Sequence, residues 1–317
     1  MQAKDLISAR VSLAPMAGIT DYVLRSLVRE HSKSALLTTE MISSEALTQV
    51  KDVVITKRDN NHSPISYQLS GHKPQMLANC ANYLQKYADM IDINMGCPVN
   101  KVVKGTDGCA LMRNPDLAQE IVKTVKSNIT IPLSVKFRLG YTFDELNFVE
   151  FGEKMQEAGA DFITIHGRTR SQMYGGNANW KLISELKKNV DIPVFANGDI
   201  VSIETAEKCL EESQADGIAV GRGALGDVTL IGRIEQYLNK GIYLPPPSLE
   251  QKIETLKQHL KKEVELRGED VGVKFCRKFY PYYLNGFPGA SRLRGEIVLI
   301  NNLKDVFQTI DKAVCRN

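Results

Sequence analysis

The 317-residue chain has six cysteines but no CxxC pair, and no apolar run near the roughly 18 residues a membrane-spanning helix needs. The first lack argues against a structural zinc site, the second against an integral membrane protein. Met1 to Arg10 carries no apolar core of a secretory signal, so a cytoplasmic protein with reduced thiols is expected. A net charge of only +3 gives, by itself, no reason to propose a polyanion partner.

What is present is ordinary globular composition, 43% hydrophobic and 24% charged, in a chain long enough for one α/β barrel of about 250 residues and a small second domain. Short β-branched runs recur, each followed by a polar turn and, over most of the chain, a segment of helical period. Eight are counted: 11–14, 35–39, 65–69, 90–94, 133–138, 162–166, 193–196 and 217–220. Helices are expected over 115–127, opened by Asn114 and Pro115, and over 144–158, closed by Gly159. Eight strands with crossovers favour a closed (β/α)8 barrel over a doubly wound sheet, which rarely takes eight evenly spaced parallel strands.

The helical period breaks at the stiff segment 241–247, Gly-Ile-Tyr-Leu-Pro-Pro-Pro, which reads as a linker between a barrel over 1–240 and a helical domain over 248–317. From Lys240 onward there are 14 basic and 9 acidic residues, so the modest total conceals a surplus of five positive charges in the tail. Tyr280, Tyr282 and Tyr283 lie among Arg277, Lys278, Arg292 and Arg294. That composition suits a nucleic-acid backbone, and equally a solvated helix surface over core tyrosines.

In such barrels chemistry gathers at the carboxyl ends of the strands. Here those ends carry Pro15-Met16-Ala17, Gln68, Asn94 to Cys97, Lys136 and Arg138, His166 to Arg168, Asn197-Gly198-Asp199 and Gly221-Arg222. Glycine turns after the last two strands suit a phosphate. The Gly221 to Gly226 stretch matches GxGxxG but lacks the following βαβ unit with its acidic residue, so it reads as a phosphate cradle inside the barrel. Lys136 points into the mouth if Val135 and Phe137 face the helices; it could form a Schiff base, hold negative charge, or make an ion pair. Cys97, in a Gly-Cys-Pro turn followed by Lys101 and Lys104, is a candidate nucleophile or general acid.

Six motifs in order, Leu13-Ala-Pro-Met-Ala-Gly-Ile-Thr-Asp21, Asp92-Ile-Asn-Met-Gly-Cys-Pro98, Val135-Lys-Phe-Arg138, Ile165-His-Gly-Arg-Thr169, Ala196-Asn-Gly-Asp199 and Gly221-Arg-Gly223, resemble the tRNA-dihydrouridine synthases. The tail from Arg277-Lys278 through Gly286 to Arg294 resembles the bacterial B-type branch. The resemblance implies a monomeric enzyme, free of metal, that uses flavin mononucleotide and NADPH to reduce the C5=C6 bond of selected tRNA uridines. It implies Pro15, Met16, Ala17, Gln68, Lys136 and His166 around the flavin ring. Asn197, Gly198, Asp199, Gly221 and Arg222 would hold its phosphate, Cys97 would give a proton to C5, and Asn94, Arg138 and Arg168 would grip the uridine. Arg277, Lys278, Arg292 and Arg294 would meet the tRNA body. The chain departs from the family pattern at Phe279, usually histidine, at Pro281 and Tyr282, usually alanine and tryptophan, and at Asp107 and Cys109, usually small. A flavin barrel acting on a free pyrimidine, like the dihydroorotate dehydrogenases, is the alternative; a small substrate would not need the basic tail.

Overall fold

The computed structural model describes residues 2–49, 57–99, 102–103 and 106–314. Nine parallel strands form one sheet: β1 Val11–Leu13, β2 Leu36–Thr38, β3 Ile42–Ser43, β4 Ile65–Ser70, β5 Met90–Asn94, β6 Leu133–Arg138, β7 Phe162–His166, β8 Val194–Asn197 and β9 Gly217–Val220. β1 pairs with both β2 and β9, and β2 pairs with β4, so eight strands close a barrel and the two-residue β3 rides on β4 beside it. The eight expected strands are all present, with ends shifted by a residue.

The crossover helices form where apolar residues recur every three or four positions. Pro115–Lys126 starts as read, with Asn114 Oδ1 accepting from Leu117 N–H, and buries Ala118, Ile121, Val122 and Val125. The helix expected over 144–158 is shorter, Phe148–Glu157, because Gly140 bridges Leu146 in a turn and Asn147 donates instead to Met112 O. Phe137 faces this helix and meets Phe151 edge-on at 5.1 Å, a packing arrangement worth about 1 kcal/mol beyond burial. Strand alternation therefore turns Lys136 into the barrel.

The barrel interior is layered. At the amino-terminal ends of the strands Leu36, Met90, Phe162 and Phe195 pack with Leu6 and Ile7 of the leading segment into an apolar plug. Above it, Ser12, Thr38, Ser66, Asp92, Ser134 and Thr164 line a narrow polar cavity capped by Lys136. Ser12 Oγ donates to Ile218 O, and Ser134 Oγ to Ile91 O and to Asp92, which fixes hydrogen-bond directions in the middle of the barrel.

Helix Leu230–Lys240 stops at Gly241 in the left-handed region (φ 66°), and the Pro-rich strap leads to helix Leu249–Arg267, opened by a Ser248/Gln251 capping box. The helical domain continues as Glu269–Cys276, a tight 3-10 turn Arg277–Phe279 and a short helix Tyr280–Tyr283 in whose first turn Pro281 sits harmlessly. Tyr280 and Tyr283 are buried core and not part of a cationic surface, whereas Tyr282 is exposed. Phe279, the departure from histidine, lies 4.4 Å from the ring of buried His259, which is supplied from helix Leu249–Arg267. Among the described residues no helix is long and apolar enough to cross a membrane, and no group of His, Cys, Asp and Glu could hold a metal ion.

Candidate active site

Strand register assembles the mouth. Gln68 lies beside Asp92, Asn94 beside Lys136, Arg138 beside His166, and His166 beside Asn197. Lys136 Nζ donates to Asn197 Oδ1 at 3.0 Å, and Asn197 Nδ2 donates to Ala219 O at 2.7 Å. Burial, then the nearby Arg138 charge, brings the Lys136 ammonium down to about 8, with Asp92 pulling the other way.

His166 is buried among Arg138, Lys136, Arg168 and Arg222, and burial with those charges holds its pKa well below the usual value. Arg168 Nη1 lies 3.4 Å from His166 Nε2. A guanidinium can only donate, so Nε2 accepts and the proton sits on Nδ1. His166 is therefore a neutral donor.

Below the mouth runs a one-way ladder. Asp92 accepts from Ser134 Oγ and from Gln68 Nε2, both at 2.6 Å; Gln68 Oε1 accepts from Asn94 Nδ2 at 2.8 Å; Asn94 Oδ1 accepts from the N–H of Gly96 and of Cys97 at 3.2 and 2.9 Å. Asn94 thus holds the backbone of the Cys97 turn. Cys97 O in turn accepts from Cys109 N–H, and a Cβ on Gly108 (φ 59°) would come within 2.8 Å of Cys97 O, so only glycine fits there. Burial raises the Cys97 thiol above its ordinary value while Arg138 and Lys136 pull it back. The thiol is a proton carrier at neutral pH and not a ready thiolate. Cys109 is fully buried and pushed up to about 12, a packing residue. Asp107 meets His72 Nδ1 at 2.7 Å at the rim. Lys101, Lys104 and Gly105 of this loop, and Cys315, lie outside the described residues.

The turns after β8 and β9 form a concave donor arc. Gly198 adopts φ 118° with Ala178 and His166 so close that a Cβ would collide, and Asp199 is itself left-handed at φ 56°. The N–H groups of Gly198, Asp199 and Gly221 donate to no other backbone group. The Asp199 carboxylate turns away from this arc: it accepts from Arg168 Nη2 at 2.7 and 2.8 Å and from Ala178 N–H at 2.7 Å. Arg222, half-exposed, reaches Asp199 at 3.5 Å. Unused N–H groups, an exposed guanidinium and a carboxylate already neutralised suit a bound phosphate. Above Gly221 only Met16 Sδ and Ala14 Cβ come within 4 Å of a built Cβ, leaving space where the ring-lining segment meets the arc.

One of the two mouth arginines, Arg168, departs from the sequence reading. Arg168 is 1% exposed and spends its guanidinium on Gly175 O, Gly176 O and Asp199. It is a strut of the loop after β7 and has nothing left for a uridine. Arg138 donates from Nε to Gly96 O and from Nη1 to Thr169 O and Met173 O, with Nη2 left over. Between them they pin the 169–176 loop and present Tyr174, half-exposed, with Arg138 and Arg222 at 5.6 and 5.7 Å from its ring. Sequence reasoning missed Tyr174, because both cations that frame it come from other strands. Of the four tail cations singled out in the sequence only Arg292 is well exposed, and it pairs with Glu296 at 2.8 Å; Arg277 bonds Asn301 and Ile300, Arg294 bonds Leu284 O, and Lys278 bonds Gly18 O, while Lys261, Lys274 and Lys304 are also exposed.

A family model described as "Dihydrouridine synthase (Dus)" matches residues 12–317. The chain belongs to the dihydrouridine synthase family. It is 40% identical over 310 residues to a probable tRNA-dihydrouridine synthase 1 of Synechocystis, covering 97% of this chain and 87% of that one. It is 36% identical over 299 residues to tRNA-dihydrouridine synthase B of Pseudomonas aeruginosa, with 93% and 89% covered. Its fold is similar to histamine dehydrogenase from Rhizobium sp. 4-9 (TM-score 0.57, 15% identity, 85% of this chain and 49% of that one). It is also similar to a variant of NCR from Zymomonas mobilis (TM-score 0.52, 17% identity, 77% and 90% covered). At those identities the likeness shows the fold alone.

Proposed function

We propose that this dihydrouridine synthase reduces the C5=C6 bond of uridines in tRNA, with flavin mononucleotide at the barrel mouth and NADPH as reductant. The observation that carries the reading is the pairing of a phosphate-ready arc with a half-buried, protonated thiol on a turn held by the Asn94 ladder, in a family member. The arc, Gly198, Asp199, Gly221 and Arg222, would hold the cofactor phosphate, and Pro15, Met16, Ala17, Gln68, Asn197, Lys136 and His166 would surround its ring. When bound and reduced, the flavin supplies a hydride to C6 of uracil. Cys97 gives the proton to C5, its S–H bond breaking as the C–H bond forms, and the thiolate regains a proton from water. Lys136 and Arg138 stabilise that thiolate while it lasts.

A uracil inside a tRNA fold reaches this mouth only flipped out of its stack, at a cost of a few kcal/mol. The free Nη2 of Arg138 and the one amide N–H that the ladder leaves to Asn94 would hold it, and Tyr174 would stack on it. The tRNA body would run over the helical domain, 248–317, meeting Arg292 and its exposed neighbours largely through phosphates. The barrel, 1–240, would carry the chemistry as a monomer in the compartment that holds tRNA and NADPH. The test is mass spectrometry of tRNA from cells lacking the protein: specific uridines should lose the two-hydrogen mass gain of dihydrouridine.

A further inference from the structure

The segment that leaves β1, from Pro15 to Asp21, is held at its tip and at its carboxyl end by the helical tail. Within it the N–H groups of Ile19 and Thr20 donate to Met16 O, and Thr20 Oγ1 accepts from Met16 N–H at 3.0 Å. Gly18 sits at the tip with φ 71°. Its N–H donates to Glu40 Oε1 at 2.5 Å, and its carbonyl accepts from Lys278 Nζ, which comes from the 3-10 turn of the tail. At the other end Asp21 Oδ1 caps Leu24 N–H at 3.0 Å and Oδ2 accepts from Arg267 Nη2 at 2.6 Å. Arg267 Nε donates to buried Glu263 at 2.6 Å. Phe275 lies between the two cations, with Lys278 Nζ 3.2 Å and Arg267 Cζ 3.9 Å from its ring centre. Each cation is braced on an aromatic face, Lys278 reaching the tip and Arg267 the carboxyl end of the same barrel segment.

A lysine that serves tRNA phosphates stands free in solvent with its donors pointing outward. Lys278 is half-buried, packed on a ring and bonded to a backbone carbonyl of the barrel. We propose that Lys278 and Arg267 are positioning residues for the cofactor segment: the tail keeps Met16 to Asp21 folded against the mouth and thereby helps retain the flavin. This rests on the flavin reading of the mouth. It gives the tail a second task besides docking tRNA, and assigns Lys278 to that task.

The experiment uses full-length holoprotein loaded with flavin mononucleotide and reads two quantities. These are the rate of flavin release, by recovery of its fluorescence on dilution, and the affinity for an unmodified tRNA as a function of salt. Lys278→Met should release flavin about tenfold faster, Lys278→Arg should stay near wild type, and both should keep the wild-type tRNA affinity and salt slope. Lys278→Gln gives the same reading should the methionine variant fold poorly. Unchanged flavin release in these variants overturns the proposal. If it comes with weaker tRNA binding and a salt slope smaller by about one, Lys278 is a phosphate contact. If it comes only with a lower unfolding temperature of the apoprotein, the contact is merely structural. Failure of the wild-type protein to bind the flavin at all would overturn the underlying reading instead, and the proposal with it.

Discussion

At the scale of single residues, the proposed proton donor Cys97 sits on a turn that a ladder anchored by Asp92 holds in place. Cys97→Ala should lose roughly two to four orders of magnitude in turnover, the usual worth of a positioned general acid, while keeping flavin and tRNA affinity. Single-turnover dihydrouridine formation with prereduced holoprotein checks this, and undiminished turnover excludes Cys97 as the acid. Asp92 never meets substrate, yet as an acceptor it obliges Gln68 to present its NH2 group, and hence Asn94 its own, leaving Asn94 Oδ1 for the Cys97 turn. Asp92→Asn can still accept from Gln68 and should keep most activity. Asp92→Leu cannot, and should lower kcat with little change in tRNA KM and alter the alkylation rate of Cys97, followed by peptide mass spectrometry. Equal behaviour of the two variants would contradict the ladder.

The sequence showed Lys136 and Cys97 because strand alternation and a Gly-Cys-Pro turn are local signals. It did not show Asp92 in this role, since the partners that orient it lie on β4 and β6. Nor did it show Arg168 as a strut: an arginine at a strand end reads the same whether it faces ligand or carbonyls, and only the fold of the 169–176 loop over it decides.

At the scale of elements, helix Leu249–Arg267 docks against Tyr22–His31 through charges that are nearly dry. Burial, then the charge and shared hydrogen bond of Asp21, raises the Glu263 carboxyl to about 8, while Asp21 is held low by Glu263, Leu24 N–H and Arg267 despite its burial. The folded state thus prefers Glu263 neutral. A raised folded-state pKa contributes stability that is complete below the ordinary carboxylate range and is lost as pH rises through about 8. Wild type should therefore lose thermal stability relative to Glu263→Gln as pH rises from the ordinary carboxylate range to about 8, and no further above it, by calorimetry of both proteins. A pH-independent difference would show that Glu263 is ionised throughout. The tail was legible from sequence as helices and a linker, but not as this latch, because Asp21 and Arg267 are separated by most of the chain and each alone looks like an ordinary cap or surface charge.

At the scale of the molecule, the overall charge of +3 is a sum of unlike parts, a slightly acidic barrel and a basic tail, and the structure further divides the tail. Arg277, Lys278 and Arg294 serve internal contacts, so the proposed phosphate binding would fall to the exposed cations of the tail, Arg292 among them. Arg292→Ala should weaken tRNA binding modestly and lower the slope of log K against log salt by about one, measured by filter binding at several salt concentrations. An unchanged slope would move the tRNA path off this face. The central claim is tested most directly by incubating purified protein, flavin mononucleotide and NADPH with an unmodified tRNA transcript and mapping dihydrouridine by mass spectrometry. The account predicts dihydrouridine at defined positions and none with Cys97→Ala. Reduction of free uracil or orotate with none of the tRNA would contradict it.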